Sequence, residues 1–160
     1  MIADLQQSET WEQLPPELSH VRNAIENSRS LLALGDDWDE EGSPLIKKET
    51  WQLAAHVLYV HAKHMLSLGC IIDAPDLTPG PAGGIDLHWD TPAYEMLINV
   101  PADVAIEGGF YFDRGLISLK RGYQPHPIKG RLNTLSLFEE ILKNWIKENK
   151  GEKNGSLISS

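Results

Sequence analysis

Apolar residues along this chain change period twice, and the changes divide it into helix-patterned, strand-patterned and again helix-patterned stretches. Residues 1–15 read as a polar lead-in carrying Trp11 and Leu14, with Pro15-Pro16 as a helix start. Leu18, Val21, Ile25 and Leu32, with Ala24, Ser28 and Leu31 between them, recur at three- and four-residue spacing through Leu34. This predicts a first helix, with Gly35 supplying a left-handed C-terminal residue. A second helix is predicted by Trp51, Ala54, Ala55, Leu58, Ala62, Met65 and Leu66, ending near Gly69.

Pro75, Pro79, Gly80, Pro81, Gly83 and Gly84 then exclude helix, and alternation of period two begins at once. Ile85, Leu87 and Trp89 fall on one face of a strand, with Asp86, His88 and Asp90 on the other. Thr91-Pro92-Ala93 turns into a second strand with Tyr94, Met96, Ile98 and Val100 against Glu95, Leu97 and Asn99. Gly109–Phe112 and Leu116–Lys120, joined by Asp113-Arg114-Gly115, read as two more. After a loop over 122–130, Leu135, Phe138, Ile141, Leu142, Trp145 and Ile146 form the stripe of a last helix. Ser136 to Glu139 matches a capping box there, with Thr134 as the other candidate cap. Residues 147–160 lack periodicity and predict a flexible tail.

An antiparallel sheet with one buried face needs helices on that face. The expectation is therefore a single two-layer α+β domain over 16–146: two N-terminal helices, an antiparallel β-meander of about four strands, and a C-terminal helix packed on one sheet face. Trp51, Trp89 and Trp145 are expected on buried sides, each with an indole N–H that needs an acceptor.

Composition changes this picture little: 160 residues with 41% hydrophobic and 23% charged content are ordinary for one domain. The lone Cys70 rules out an intramolecular disulfide and a Cys-based zinc site, and its Ile71-Ile72 neighbours predict a buried, inert thiol. No 18-residue apolar run and no export signal are read, so a cytoplasmic protein without membrane association is expected. Charge matters more. A formal net charge of -9 disfavours direct nucleic-acid binding and favours docking on another protein with a basic surface.

Candidate chemistry is sparse. Between the first two helices lies a corner, Trp38-Asp39-Glu40-Glu41-Gly42-Ser43-Pro44, in which Trp38, Asp39, Gly42 and Pro44 are expected to set the bend and cap the next helix. Asp37, Asp39, Glu41 and Gly42 also occupy positions 1, 3, 5 and 6 of an EF-hand-like loop, but position 12 is Lys48 where a bidentate carboxylate must close the site. His56, His61 and His64 share the second helix. The spacing of His61 and His64 can bring two imidazoles to one metal, yet no third ligand is specified. His88 stands between Asp86 and Asp90, and Asp86, Glu95 and Asp113 could gather on the open sheet face. No nucleophile elbow or phosphate loop is present.

Leu31-Leu32-x-Leu34, Trp38-Asp39-x-x-Gly42-x-Pro44, Thr50-Trp51, Pro79-Gly80-Pro81-x-Gly83-Gly84-Ile85-Asp86-Leu87-His88-Trp89 and Leu97-Ile98-Asn99-Val100-Pro101 together resemble a widespread group of small bacterial proteins of unassigned function. The likeness covers roughly residues 30 to 115. It departs at Glu40, where that group usually carries glycine. The resemblance implies a cytoplasmic bacterial or phage-borne protein and supplies no catalytic residues.

The functional expectation is a non-catalytic, acidic protein-interaction module, an antitoxin-like, immunity-like or regulatory partner, that uses Asp86, His88, Asp90, Glu95, Leu97 and Asn99 as its surface and needs no cofactor. The competing expectation is a small-ligand, metal-binding or hydrolytic protein built on Asp86, His88, Asp90 and the Trp38 corner.

Overall fold

A computed structural model describes residues 10–34, 45–102, 105–106, 109–110, 114–122 and 124–159. The corner holding Trp38, Asp39, Gly42 and Pro44, and the acidic positions beside it, lie outside the described residues, as does Asp113. Among the described residues the fold is α+β, with three α-helices and a five-stranded antiparallel sheet.

The first predicted helix forms in two pieces, α1 over Ser19–Asn27 and a 3-10 stretch over Ser28–Ala33. The change of winding coincides with Ser28, whose hydroxyl donates to the Ile25 carbonyl at 2.6 Å and accepts the Trp51 indole N–H at 2.8 Å. Trp11 of the lead-in meets Trp51 edge-on at 6.0 Å, and the Arg29 guanidinium lies 5.4 Å from the Trp11 ring centroid and 4.8 Å from that of Trp51. Leu14 is buried beside the core residue Leu18, so this end of the lead-in belongs to the core.

Helix α2, Lys48–Ser67, runs through the core, burying Trp51, Leu53, Ala54, Val57, Leu58, Ala62 and Met65. Its alanines allow close approach to the sheet. It ends in a Schellman turn: Gly69 has φ of 83°, its N–H reaches Leu66 O, and the Cys70 N–H reaches Met65 O, both at 2.9 Å. Cys70 is buried beyond that turn.

The main sheet has the order β1-β2-β3-β6-β7, formed by β1 (Asp76–Pro79), β2 (Ile85–Asp90), β3 (Glu95–Val100), β6 (Leu116–Lys120) and β7 (Ile128–Arg131). A separate pair, β4 (Ala105–Ile106) and β5 (Gly109–Phe110), is inserted between β3 and β6. The count is thus five rather than four. Edge strands β1 and β7 add to the predicted set; of the predicted 109–112 strand, Gly109–Phe110 contributes to the side hairpin instead of the main sheet, and 111–112 lie outside the described residues. Ile85, Leu87, Trp89, Met96, Ile98, Val100, Ile117 and Leu119 form the inner face, all essentially inaccessible. Each such aliphatic side chain is worth roughly 1.5–3 kcal/mol of burial. The Trp89 indole N–H donates to Asp73 O at 2.8 Å.

Helix α3, Leu135–Ser159, inserts Phe138 and Leu142 into the core beside α2. Trp145 is only partly buried. The helix continues through 147–159, where the loss of apolar periodicity predicts a tail. Lysine and glutamate in that stretch are good helix formers, and Arg121 grips Glu148 at 2.7 Å.

Candidate functional site

The outer face of the sheet is ordered by register into three rows. Asp76, His88, Leu97, Ser118 and Lys129 form one; Thr78, Asp86, Asn99, Leu116 and Arg131 the second; Asp90, Glu95 and Lys120 the third. All six residues proposed from strand alternation therefore share one surface. Reading across it, acids lie on β1, β2 and β3 (Asp76, Asp86, Asp90, Glu95), while Lys120, Lys129 and Arg131 lie on β6 and β7.

Specific bonds hold the middle of this face. Glu95 accepts from Lys120 Nζ at 2.9 Å and from His88 Nε2 at 2.8 Å, each through a different carboxylate oxygen. The hydrogen bonds from Lys120 and then His88 lower the Glu95 pKa below its ordinary value, outweighing partial desolvation. The Asn99 amide donates to Asp86 at 2.8 Å. A shallow depression of about 340 Å³ runs over these groups, bounded by Thr78 and Pro127.

The glycines before β2 serve this surface rather than a phosphate. Gly80 N–H bonds Gly84 O at 2.8 Å, and Gly84 N–H bonds Pro81 O at 3.0 Å, folding the segment into a tight knot. A Cβ on Gly80 would stand 2.8 Å from Asp86 Oδ1, and one on Gly84 would stand 2.7 Å from Val100 O. Ala82 and Gly83 take φ of 52° and 81° within the knot.

A second constellation joins the two helices and was only half visible in the sequence. Glu139 of α3 is buried, and its two carboxylate oxygens each accept one imidazole N–H: His61 Nδ1 at 2.7 Å and His64 Nδ1 at 2.8 Å. His61 has no exposure; its ring meets Trp89 edge-on at 5.4 Å and its Nε2 has no partner. His64 is 40% exposed. The expected pair of imidazoles thus shares a carboxylate from 75 residues or more along the chain, and Glu139 does not serve as the predicted capping-box partner. Thr134, the other candidate cap, donates its hydroxyl back to Arg131 O at 2.7 Å. His56 stacks on Tyr59 one turn and more before His61, with ring centroids 6.2 Å apart. Among the described residues no group of three or more His, Cys, Asp or Glu is arranged to hold a metal ion, and no helix is long and apolar enough to cross a membrane.

In comparisons with known proteins, no family model, no curated protein and no solved structure matches the chain.

Proposed function

We propose that the protein is a non-catalytic interaction module whose outer sheet face binds another protein, with a basic patch of that partner lying on the acidic strands β1 and β2. The observation that carries this reading is a broad sheet face, pre-ordered by the Lys120–Glu95–His88 and Asn99–Asp86 bonds, with Leu97 in its central row and acidic groups on one side. Fixed side chains lose little entropy on binding, and Leu97 adds apolar surface for a partner to cover. The net charge of -9 favours fast encounter with a basic surface. A regulatory, immunity-like or antitoxin-like role in the cytoplasm of a bacterium is the setting such a module fits.

Asp76 and Asp90 are exposed and stand apart from the central bonds, so their reversal leaves the fold intact. Tagged wild-type protein and an Asp76→Lys/Asp90→Lys variant are used to capture partners from the native host. The expected result is one stoichiometric protein held by the wild type and lost by the variant at unchanged thermal stability. Equal retention by both, or recovery of nothing across salt conditions, overturns the reading.

A further inference from the structure

The His–Glu–His cluster lies beside a cleft that the outer sheet face does not share. This cleft, of about 440 Å³, opens between α2 and α3. Its volume falls within the range of small-molecule sites. Val57 and Val60 of α2, Leu132 in the 3-10 turn before α3 and Leu135 at the start of α3 form its apolar walls. Val60 is 43% exposed, so its apolar surface is open to whatever enters the cleft. His64 and Glu139 stand at the polar end, with Asn133 and Ser136 beside them.

The chemistry at that end has a direction. A carboxylate has no proton to give, so Glu139 fixes a hydrogen on Nδ1 of His64 and leaves Nε2, on the side away from Glu139, to pair with a hydroxyl, which both donates and accepts. A neighbouring buried carboxylate disfavours an anion in the cleft, and each of its oxygens is engaged by one imidazole N–H. His56 on the cleft wall has its pKa lowered by partial desolvation, although much of its surface stays exposed, which keeps that wall neutral. Four apolar wall residues and a single polar end match an apolar body with one hydrogen-bonding group. We propose that the cleft between α2 and α3 binds a small, uncharged, largely apolar molecule bearing one hydroxyl group, a phenol being the simplest class, with His64 Nε2 hydrogen-bonded to the hydroxyl.

The test uses the intact chain and three probes of one shape: 4-methylphenol, toluene and 4-methylbenzoate, titrated into ¹⁵N-labelled protein. The expected result is saturable shifts at the amides of Val57, Val60, His64 and Leu135, with 4-methylphenol bound tightest and 4-methylbenzoate weakest. His64→Phe keeps an aromatic ring and removes the hydrogen-bonding nitrogen, so 4-methylphenol should fall to the level of toluene, a loss of roughly three- to ten-fold for one hydrogen bond. Val60→Trp at an exposed position fills the cleft and should abolish saturation by all three. Should His64→Phe not fold, the order of the probes and Val60→Trp decide the matter. Shifts that map elsewhere or do not saturate, tighter binding of the benzoate, an unchanged preference for the phenol in a folded His64→Phe protein, or undiminished binding by Val60→Trp each overturn the proposal.

Discussion

Replacing Glu139 by alanine removes the acceptor that two imidazoles share, and the consequence differs sharply for the two rings. His61 is wholly inaccessible and its Nε2 already lacks a partner, so the substitution leaves both of its ring nitrogens buried and unbonded. A hydrogen bond to a charged group contributes about 1.5–3 kcal/mol, and a stranded buried donor costs about 1–3 kcal/mol. The two terms overlap, which puts Glu139→Ala at about 3 kcal/mol. For a chain of 160 residues that corresponds to a fall in melting temperature of roughly 6–12 °C. His64→Ala takes a 40% exposed partner from the buried Glu139 oxygen, and water entering the space it leaves can replace that bond, so it should cost less, about 1 kcal/mol. Glu139→Gln falls between: the amide oxygen can serve one imidazole, while the other must move its hydrogen to the far nitrogen to accept from the amide N–H. Urea unfolding followed by tryptophan fluorescence, with the slope m compared among variants, measures all three. A cost below about 1 kcal/mol for Glu139→Ala at unchanged m, or equal costs for Glu139→Ala and His64→Ala, refutes the reasoning.

Three further outcomes follow from particular contacts. Lys120→Ala should raise the Glu95 pKa back toward the ordinary glutamate value, read by a ¹³C carboxyl titration; because the folded-state pKa is depressed, the stability it contributes is complete above the unfolded value and lost as pH falls through the folded one, and at this exposure it amounts to at most about 1 kcal/mol. Absence of an upward shift contradicts the network. Gly84→Ala drives a Cβ to within 2.7 Å of the Val100 carbonyl and 3.2 Å of Pro101 Cα, both backbone atoms, and should cost about 1–3 kcal/mol in chemical denaturation; a neutral result removes the packing role assigned to this glycine. Tyr94→Phe deletes a buried hydroxyl that has no hydrogen-bond partner, and that burial together with the nearby Asp73 pushes the phenol's pKa far up, so thermal unfolding should show a neutral or slightly stabilising change; a loss above about 1 kcal/mol reveals a partner for the hydroxyl.

Local patterning carried the helices and the central strands because their burial follows a single period. Ile85, Leu87 and Trp89 alternate with Asp86, His88 and Asp90 just as the inner and outer faces do, and Met96, Ile98 and Val100 repeat this on the neighbouring strand. Edge strands lack that signal. Asp76–Pro79 is four residues ending in proline, and Ile128–Arg131 has no alternation, since edge residues face solvent on more than one side. The last helix outruns its apolar stripe because propensity and the Arg121–Glu148 pair suffice where packing ends. At the sites, strand period alone collected Asp86, His88, Asp90, Glu95, Leu97 and Asn99 on one face, but the bonds among them depend on register across β2, β3 and β6. Glu139 was hidden for another reason. Its position three residues after Ser136 fits a cap, and only tertiary packing turns it toward His61 and His64. The three-residue spacing of those histidines was the one signal available in advance.

Once a partner is captured, its dissociation constant measured against ionic strength for wild-type protein and for Asp76→Lys/Asp90→Lys tests the central claim most directly. Recognition through the acidic strands requires wild-type affinity to weaken as salt screens the charges, and requires the variant to bind at least ten-fold more weakly at low salt with a flatter dependence. Superimposable curves for the two proteins contradict it.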